Sequence, residues 1–337
     1  MYGVRILYRR VSGVCDYAAP GFIERECMKT FFLLLCTVLM WGGTIAPIKR
    51  VKTSSPVLDL VVRDGKVYAG TDKGEIVQID SRGKIVSSVS LKPFKNAWGE
   101  TTVPKVMSLD LSPDGQMVAA ASEEGRIYLF RGRSAEPTSF ETRTVIKKIA
   151  FVSNTKLMIA LLSNEIVWFD LKSDAVLKTI SAGTSPLSDM AVSTDRKTAV
   201  TAGEAGTVTV LDTEKMKIVR VVHGGNVDNV YKLDLQNDRI VTAGQDRRVI
   251  VYTLDGKSYV RYNGTFLVYS AALSPSASTM AAAMDESNTI SFYNVKNRRL
   301  IAKASGHLAT LNRIAFIDEK RIVSSADENQ ILYWELP

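Results

Sequence analysis

Asn329-Gln-Ile-Leu-Tyr-Trp-Glu-Leu-Pro337 is short, apolar and aromatic, and it follows an acidic turn. Six earlier segments have the same shape: Glu75-Ile-Val-Gln-Ile-Asp80, Arg126-Ile-Tyr-Leu-Phe130, Glu165-Ile-Val-Trp-Phe-Asp170, Thr207-Val-Thr-Val-Leu-Asp212, Arg248-Val-Ile-Val-Tyr252 and Thr289-Ile-Ser-Phe-Tyr-Asn294. Their first apolar residues (Ile76, Ile127, Ile166, Val208, Val249, Ile290 and Ile331) are spaced by 51, 39, 42, 41, 41 and 41 residues. A period near 41 means stacked copies of one supersecondary unit.

Each copy repeats further features in phase. About nineteen residues upstream of each anchor stands an h-x-x-h-x-h segment, beginning at Val57, Val106, Ile146, Leu187, Val230, Val268 and Leu311. Six positions before the anchor are small residues, Gly70, Ala121, Ala160, Ala202, Ala243 and Ser325, with Met284 the exception. Four positions before it are Asp72, Glu123, Glu204, Glu286 and Asp327. β-branched and aromatic residues alternating between turn residues make the unit a meander of short strands. Such a sheet cannot cover its own two faces, so neighbours must, and radial repetition leaves only short edges. The expectation is all-β, a seven-bladed β-propeller over 47–337. The last copy lacks an outermost strand, and Ile48-Lys-Arg-Val-Lys-Thr53 can supply it and close the ring.

These residues resemble the WD40-repeat β-propellers. In the last copy Gly306-His307 precedes Leu311, followed by Ser324, Asp327-Glu328 and Trp334-Glu335. The resemblance implies that His307, Ser324, Glu328 and Trp334 form a buried hydrogen-bonded set, with Glu in place of Asp. Ser112-Pro-Asp-Gly115 and Ser274-Pro-Ser276 match the family's turn after the first strand. Other copies depart: Gly225-Asn226 replaces Gly-His in the fifth, and Trp168 shifts the dipeptide in the third.

The amino-terminal part reads differently. Residues 1–27 lack any periodic pattern and read as a non-native extension ahead of Met28. Residues 28–46 have one positive charge, an apolar core and small residues ending at Thr44-Ile-Ala46, as a secretory signal peptide does. Pro47 disfavours cleavage there. An uncleaved anchor at residues 30–46 is the alternative, although the run is short for a spanning helix of about 20 residues. Both readings place the ring in a bacterial periplasm, with membrane attachment only if the segment is retained. Cys15, Cys27 and Cys36 all precede residue 47, so the ring has no thiol to mispair in an oxidising compartment.

The net charge is +8. Half of it falls in residues 1–50, where Arg5, Arg9, Arg10, Arg25, Lys29, Lys49 and Arg50 oppose Asp16, Glu24 and Glu26. No run of Lys and Arg interleaved with aromatics appears, which argues against nucleic acid.

The first copy is about ten residues longer than the others, with the surplus at Lys92–Pro104. Phe94 and Trp98 in it are candidate partner-binding anchors; the alternative is that both rings fold back on the adjacent blade. His223 and His307 are the only imidazoles, and no metal-ligand spacing, nucleophile elbow or phosphate loop occurs. The reading assigns no catalytic residue, no metal and no cofactor. Three classes stay open: an exported, non-enzymatic interaction scaffold or accessory protein; a quinoprotein- or lactonase-like propeller enzyme; and an outer-membrane assembly factor. The layout of export segment plus cysteine-free ring is similar to that of the NapL-type accessory proteins of periplasmic nitrate reductase systems. That resemblance implies reductase components as partners.

Overall fold

A computed structural model describes residues 43–95, 98–132 and 134–337. The expected extension (1–27) and all but the last four residues of the expected signal or anchor lie outside them. The innermost strands are Val57–Arg63, Val106–Leu111, Ile146–Ser153, Leu187–Val192, Val230–Gln236, Ala271–Leu273 and Leu311–Phe316. Each begins an antiparallel sheet in which successive strands are neighbours. Consecutive innermost strands touch, and Leu311–Phe316 touches Val57–Arg63, so the seven sheets form a closed ring. No helix occurs among the described residues.

The h-x-x-h spacing has a structural cause. Strict alternation would send the first and fourth residues to opposite faces of the sheet. A β-bulge prevents this, because one extra residue on one strand restores a common facing. Pairing slips between Val57 and Asp59, Ile146 and Lys148, Leu187 and Asp189, Val230 and Lys232, and Leu311 and Arg313. Val57 and Leu60 can therefore both be fully buried, as can Val230 and Leu233.

The core is divided into layers, one at each junction between blades. At the junction of blades 2 and 3, for example, Ile127 and Phe140 pack with Ile149, Phe151 and Phe169. The small residues of the second strands follow from this. A Cβ on Gly70 would lie 2.3 Å from Cγ1 of Val106 in the next blade. Met284, the exception, falls just past the end of its strand, Thr279–Ala283, where its carbonyl accepts the N–H of Thr265 at 2.9 Å.

Lys49–Lys52 pairs antiparallel with Gln330–Glu335 and completes the seventh blade, Val51 lying opposite Ile331. Val51 is buried in the layer with Val323, Ile331 and Tyr333. Thr44–Ile45 adds a fifth, parallel strand outside Leu300–Ala304 of the sixth blade. The meander sends first-to-second and third-to-fourth turns to one end of the ring, here the turn face. Second-to-third turns and inter-blade connections lie at the other, the connection face.

Candidate functional site

The connection face of blade 7 is organised by a hydrogen-bond chain. Trp334 donates its indole N–H to Ser324 Oγ at 2.8 Å, and Ser324 Oγ lies 2.6 Å from His307 Nε2. His307 Nδ1 is 2.8 Å from Glu328 Oε1. With the imidazole neutral and its proton on Nδ1, every donor faces an acceptor: Trp to Ser, Ser to His, His to Glu. Burial lowers the His307 pKa, opposed by the Glu328 hydrogen bond and charge. The sequence-predicted set His307, Ser324, Glu328 and Trp334 is thus brought together, and its fully buried indole explains why Gly306 precedes His307. A Cβ there would meet Trp334 at 3.1 Å.

Blade 5 builds the same chain from other residues. Asn226 stands where His307 does and donates from Nδ2 to Asp246 Oδ1 at 3.1 Å. Thr242 donates its hydroxyl to Asn226 Oδ1 at 2.6 Å, and the Asn226 N–H donates to Tyr252 Oη at 3.0 Å. Asn226, Thr242, Asp246 and Tyr252 replace His, Ser, acid and Trp. Tyr252 approaches so closely that a Cβ on Gly225 would sit 2.2 Å from its hydroxyl. Trp168 of blade 3 takes another route and donates to Thr213 O in blade 4 at 3.1 Å.

Both chains do something further. The residue after the His or Asn donates its backbone N–H to the acid of the same chain: Leu308 to Glu328 Oε1 at 3.1 Å, Val227 to Asp246 Oδ2 at 2.9 Å. The backbone is fixed, and the side chain points to solvent. Leu308 is 91% exposed and Val227 67%. Sequence reasoning missed both. Their signal is an apolar residue directly after Gly-His or Gly-Asn.

The insertion separates the two predicted anchors. Phe94 is half-buried in the short strand Phe94–Lys95, which pairs with Thr101–Thr102. Trp98 lies at the tip of that hairpin and is 84% exposed. Nearer the axis, Tyr231 and Tyr269 enter blades 5 and 6 as a stacked pair, their centroids 5.0 Å apart, and Tyr231 donates its hydroxyl to Gln245 Oε1 at 2.8 Å. The acidic turn residues lie on this same face.

The third residue of each h-x-x-h-x-h segment points into the central channel: Asp59, Ser108, Lys148, Asp189, Lys232, Ser270 and Arg313. The acids and serines accept amides from the next blade. Asp59 takes the N–H of Leu109 at 3.1 Å, Ser108 that of Ile149 at 3.1 Å, Asp189 that of Leu233 at 3.0 Å and Ser270 that of Ile314 at 3.0 Å. The cations neutralise them, with Lys148 Nζ 2.5 Å from Asp59 and Arg313 Nη1 3.5 Å from Asp189. Burial works to raise the Asp59 pKa, but the charges of Lys148, Arg313 and Lys232 outweigh it and hold the carboxyl below its ordinary value. Asp234, two residues beyond Lys232 on the same strand, has its pKa raised by burial.

A family model described as "WD domain, G-beta repeat" matches residues 98–131. That segment is one repeat: the end of the insertion and the first three strands of blade 2, with the Ser112-Pro-Asp-Gly115 turn. The ring is a WD40-type β-propeller. No curated protein matches the chain. The matched repeat is not the one that carries His307 and Trp334. Blade 2 of this WD40-type ring keeps the family's strand spacing, while blade 7 keeps its polar set.

His223 is exposed beside a cavity of about 240 Å³ on the connection face. Its lining includes Thr201, Thr207 and Thr209 and no carboxylate, so nothing there orients the imidazole as a general base. Among the described residues, no three His, Cys, Asp or Glu side chains gather as metal ligands would.

Proposed function

We propose that this WD40-type propeller is a non-enzymatic protein-interaction scaffold that works through its connection face. One observation carries the reading. Two blades with different polar sets fix the same backbone position and hold a large apolar side chain, Val227 or Leu308, in solvent. An apolar side chain left in water adds nothing to folding, whereas one held rigidly outward can bury its surface against a partner. Trp98 and the Tyr231–Tyr269 stack add aromatic anchors of the kind that dominate interfaces. Asp72, Glu123, Glu204 and Asp327 ring the face, which suits a partner offering basic residues around apolar sockets.

The test is affinity purification with in-cell crosslinking, comparing the parent with Trp98→Ala/Val227→Ala/Leu308→Ala. Val176→Ala, on an exposed outer strand, serves as control. The triple variant should lose its specific partner at unchanged melting temperature, while the control retains it. Identical partners for both variants would move the binding surface elsewhere.

The narrower reading is an exported accessory protein supporting a periplasmic nitrate reductase. It rests on the apolar segment at 30–46 and the absence of cysteine after residue 46. Fractionation of native cells tests export, and a co-purifying reductase subunit tests the partner; a cytoplasmic protein would end this reading while leaving the scaffold intact.

A further inference from the structure

The turn face, opposite the proposed partner surface, opens into the central channel through a cavity of about 480 Å³. Its lining includes Arg63, Asp110, Lys148, Arg196, Asp234 and Arg313. The deeper cations are paired: Lys148 with Asp59, and Arg313 with Asp189. At the mouth the balance changes.

Arg196 occupies an unusual place. It closes the turn Ser193–Arg196, donating its N–H to Ser193 O at 2.8 Å, as Gly115 does to Ser112 and Ala277 to Ser274. Its φ is 64°, in the left-handed region where Gly115 has 69°. A side chain in that conformation costs some backbone energy, as it does at Arg247 and Arg298, each with φ 60°. The guanidinium turns inward across blade 3. Nη1 lies 2.6 Å from Asp110 Oδ2 and donates to Phe151 O at 3.0 Å. Asp110 also accepts the Phe151 N–H at 2.8 Å. Its charge and its lone pairs are therefore engaged.

Arg63 lines the same mouth, half-buried. Among the described residues, its guanidinium makes no hydrogen bond and no ion pair. Burial first, then the Arg196 charge, lower its pKa despite Asp110 and Asp64. An arginine stays protonated regardless, so the shift records a buried cation beside a second one, with Asp110 and Asp64 too weakly placed to offset them. The neighbouring Asp64 is exposed to solvent.

We propose that the mouth of the channel is a carboxylate-binding site in which Arg63 is the primary ligand and Arg196, anchored by Asp110, the second cation. A planar carboxylate matches the fork of one unpaired guanidinium. The cavity has the volume of a small-molecule pocket, so the carboxylate belongs either to a free small acid or to the end or side chain of a protein segment. The site is independent of the connection-face scaffold and would survive its failure.

Titration calorimetry on the full chain tests it, with succinate, succinamide, sulfate, inorganic phosphate and a Gly-Gly-Glu peptide in free-acid and amidated forms. Succinate or the free-acid peptide should bind, and succinamide should not. Arg63→Gln should weaken binding roughly tenfold or more at unchanged melting temperature, as loss of a charge-assisted bidentate contact does. Arg196→Gly, which suits the turn, should also weaken it while keeping the fold. Tighter binding of peptide than of succinate assigns the carboxylate to a protein segment, and the reverse assigns it to a free acid. Either supports the site. It is overturned if no carboxylate binds, if Arg63→Gln binds as the parent does, or if phosphate or sulfate binds more tightly than every carboxylate.

Discussion

Arg313 of the seventh blade holds Nη1 3.5 Å from Oδ2 of Asp189 in the fourth, across the axis of the ring. Both side chains are shielded from water, and Asp59 of the first blade stands 3.9 Å from Arg313 Nε. Removing the guanidinium leaves Asp189 without its cation in a poorly solvated channel, while Asp59 keeps Lys148. Breaking a buried pair from one side costs about 3–5 kcal/mol. Arg313→Met should lose stability of that order in urea unfolding. A loss below about 1 kcal/mol would mean that water already solvates the channel acids.

Replacing His307 by Ala should destabilise the ring by about 1–3 kcal/mol, because the buried Ser324 hydroxyl and Glu328 lose a partner. Leu308 should become more mobile with it, since Glu328 is then held only by Gln330 and by the Leu308 amide itself. Urea unfolding measures the first effect, and backbone relaxation at Leu308 the second. An unchanged Leu308 amide would show that the polar set does not position this side chain.

The same imidazole predicts a pH dependence. Its folded pKa lies below the ordinary value of 6.5, chiefly because of burial. The unfolded chain therefore binds more protons as pH falls below 6.5, and stability falls with it until the folded pKa is passed. Melting temperature recorded from pH 8 down should decline below about 6.5 more in the parent than in His307→Asn. Parallel curves for the two proteins would remove His307 as the cause.

Gly225→Ala should cost about 1–3 kcal/mol by overpacking. The new methyl group would collide with the Tyr252 hydroxyl, at 2.2 Å if nothing moved. Thermal melting of this variant beside Asn226→Ala separates crowding from lost hydrogen bonds. An unaffected Gly225→Ala protein would mean that blade 5 does not depend on the Tyr252 position.

Deleting residues 47–53 should lower melting temperature sharply and promote association, because Gln330–Glu335 becomes an open edge strand. A deletion variant as stable as the parent and no more associated than it would show that the ring does not need this strand.

The fold was legible because its cause is periodic. Ile76 through Ile331 recur with the blade, and Ile48–Thr53 stood where a strand was missing. The h-x-x-h spacing even recorded the bulge, although its meaning needed the paired strand. Sites were less legible. Asn226, Thr242 and Tyr252 replace the usual polar set chemically, and no residue identity announces that. The channel residues Asp59, Ser108, Lys148, Asp189, Lys232, Ser270 and Arg313 stand one in every copy, but the apolar pattern that revealed the repeat did not mark them as a set. Which acid met which base depended on opposition across a ring, a relation that no local spacing encodes. Arg196 offered a fainter sign, an arginine at a turn position that blade 2 fills with glycine.

The pairing of Lys49–Lys52 with Gln330–Glu335 also orders events in time. A strand made before blade 1 finds its neighbour only after six blades have been made. Blades 1 to 6 can each assemble from contiguous chain as it emerges, while the seventh needs Gln330–Glu335 to meet a strand made long before it. Throughout that interval the partial ring has two unsealed blade flanks, one at each end of the growing arc. Contacts this distant in sequence are the slow ones in folding. The nascent chain is therefore most vulnerable to miscapture until Gln330–Glu335 has been made and paired.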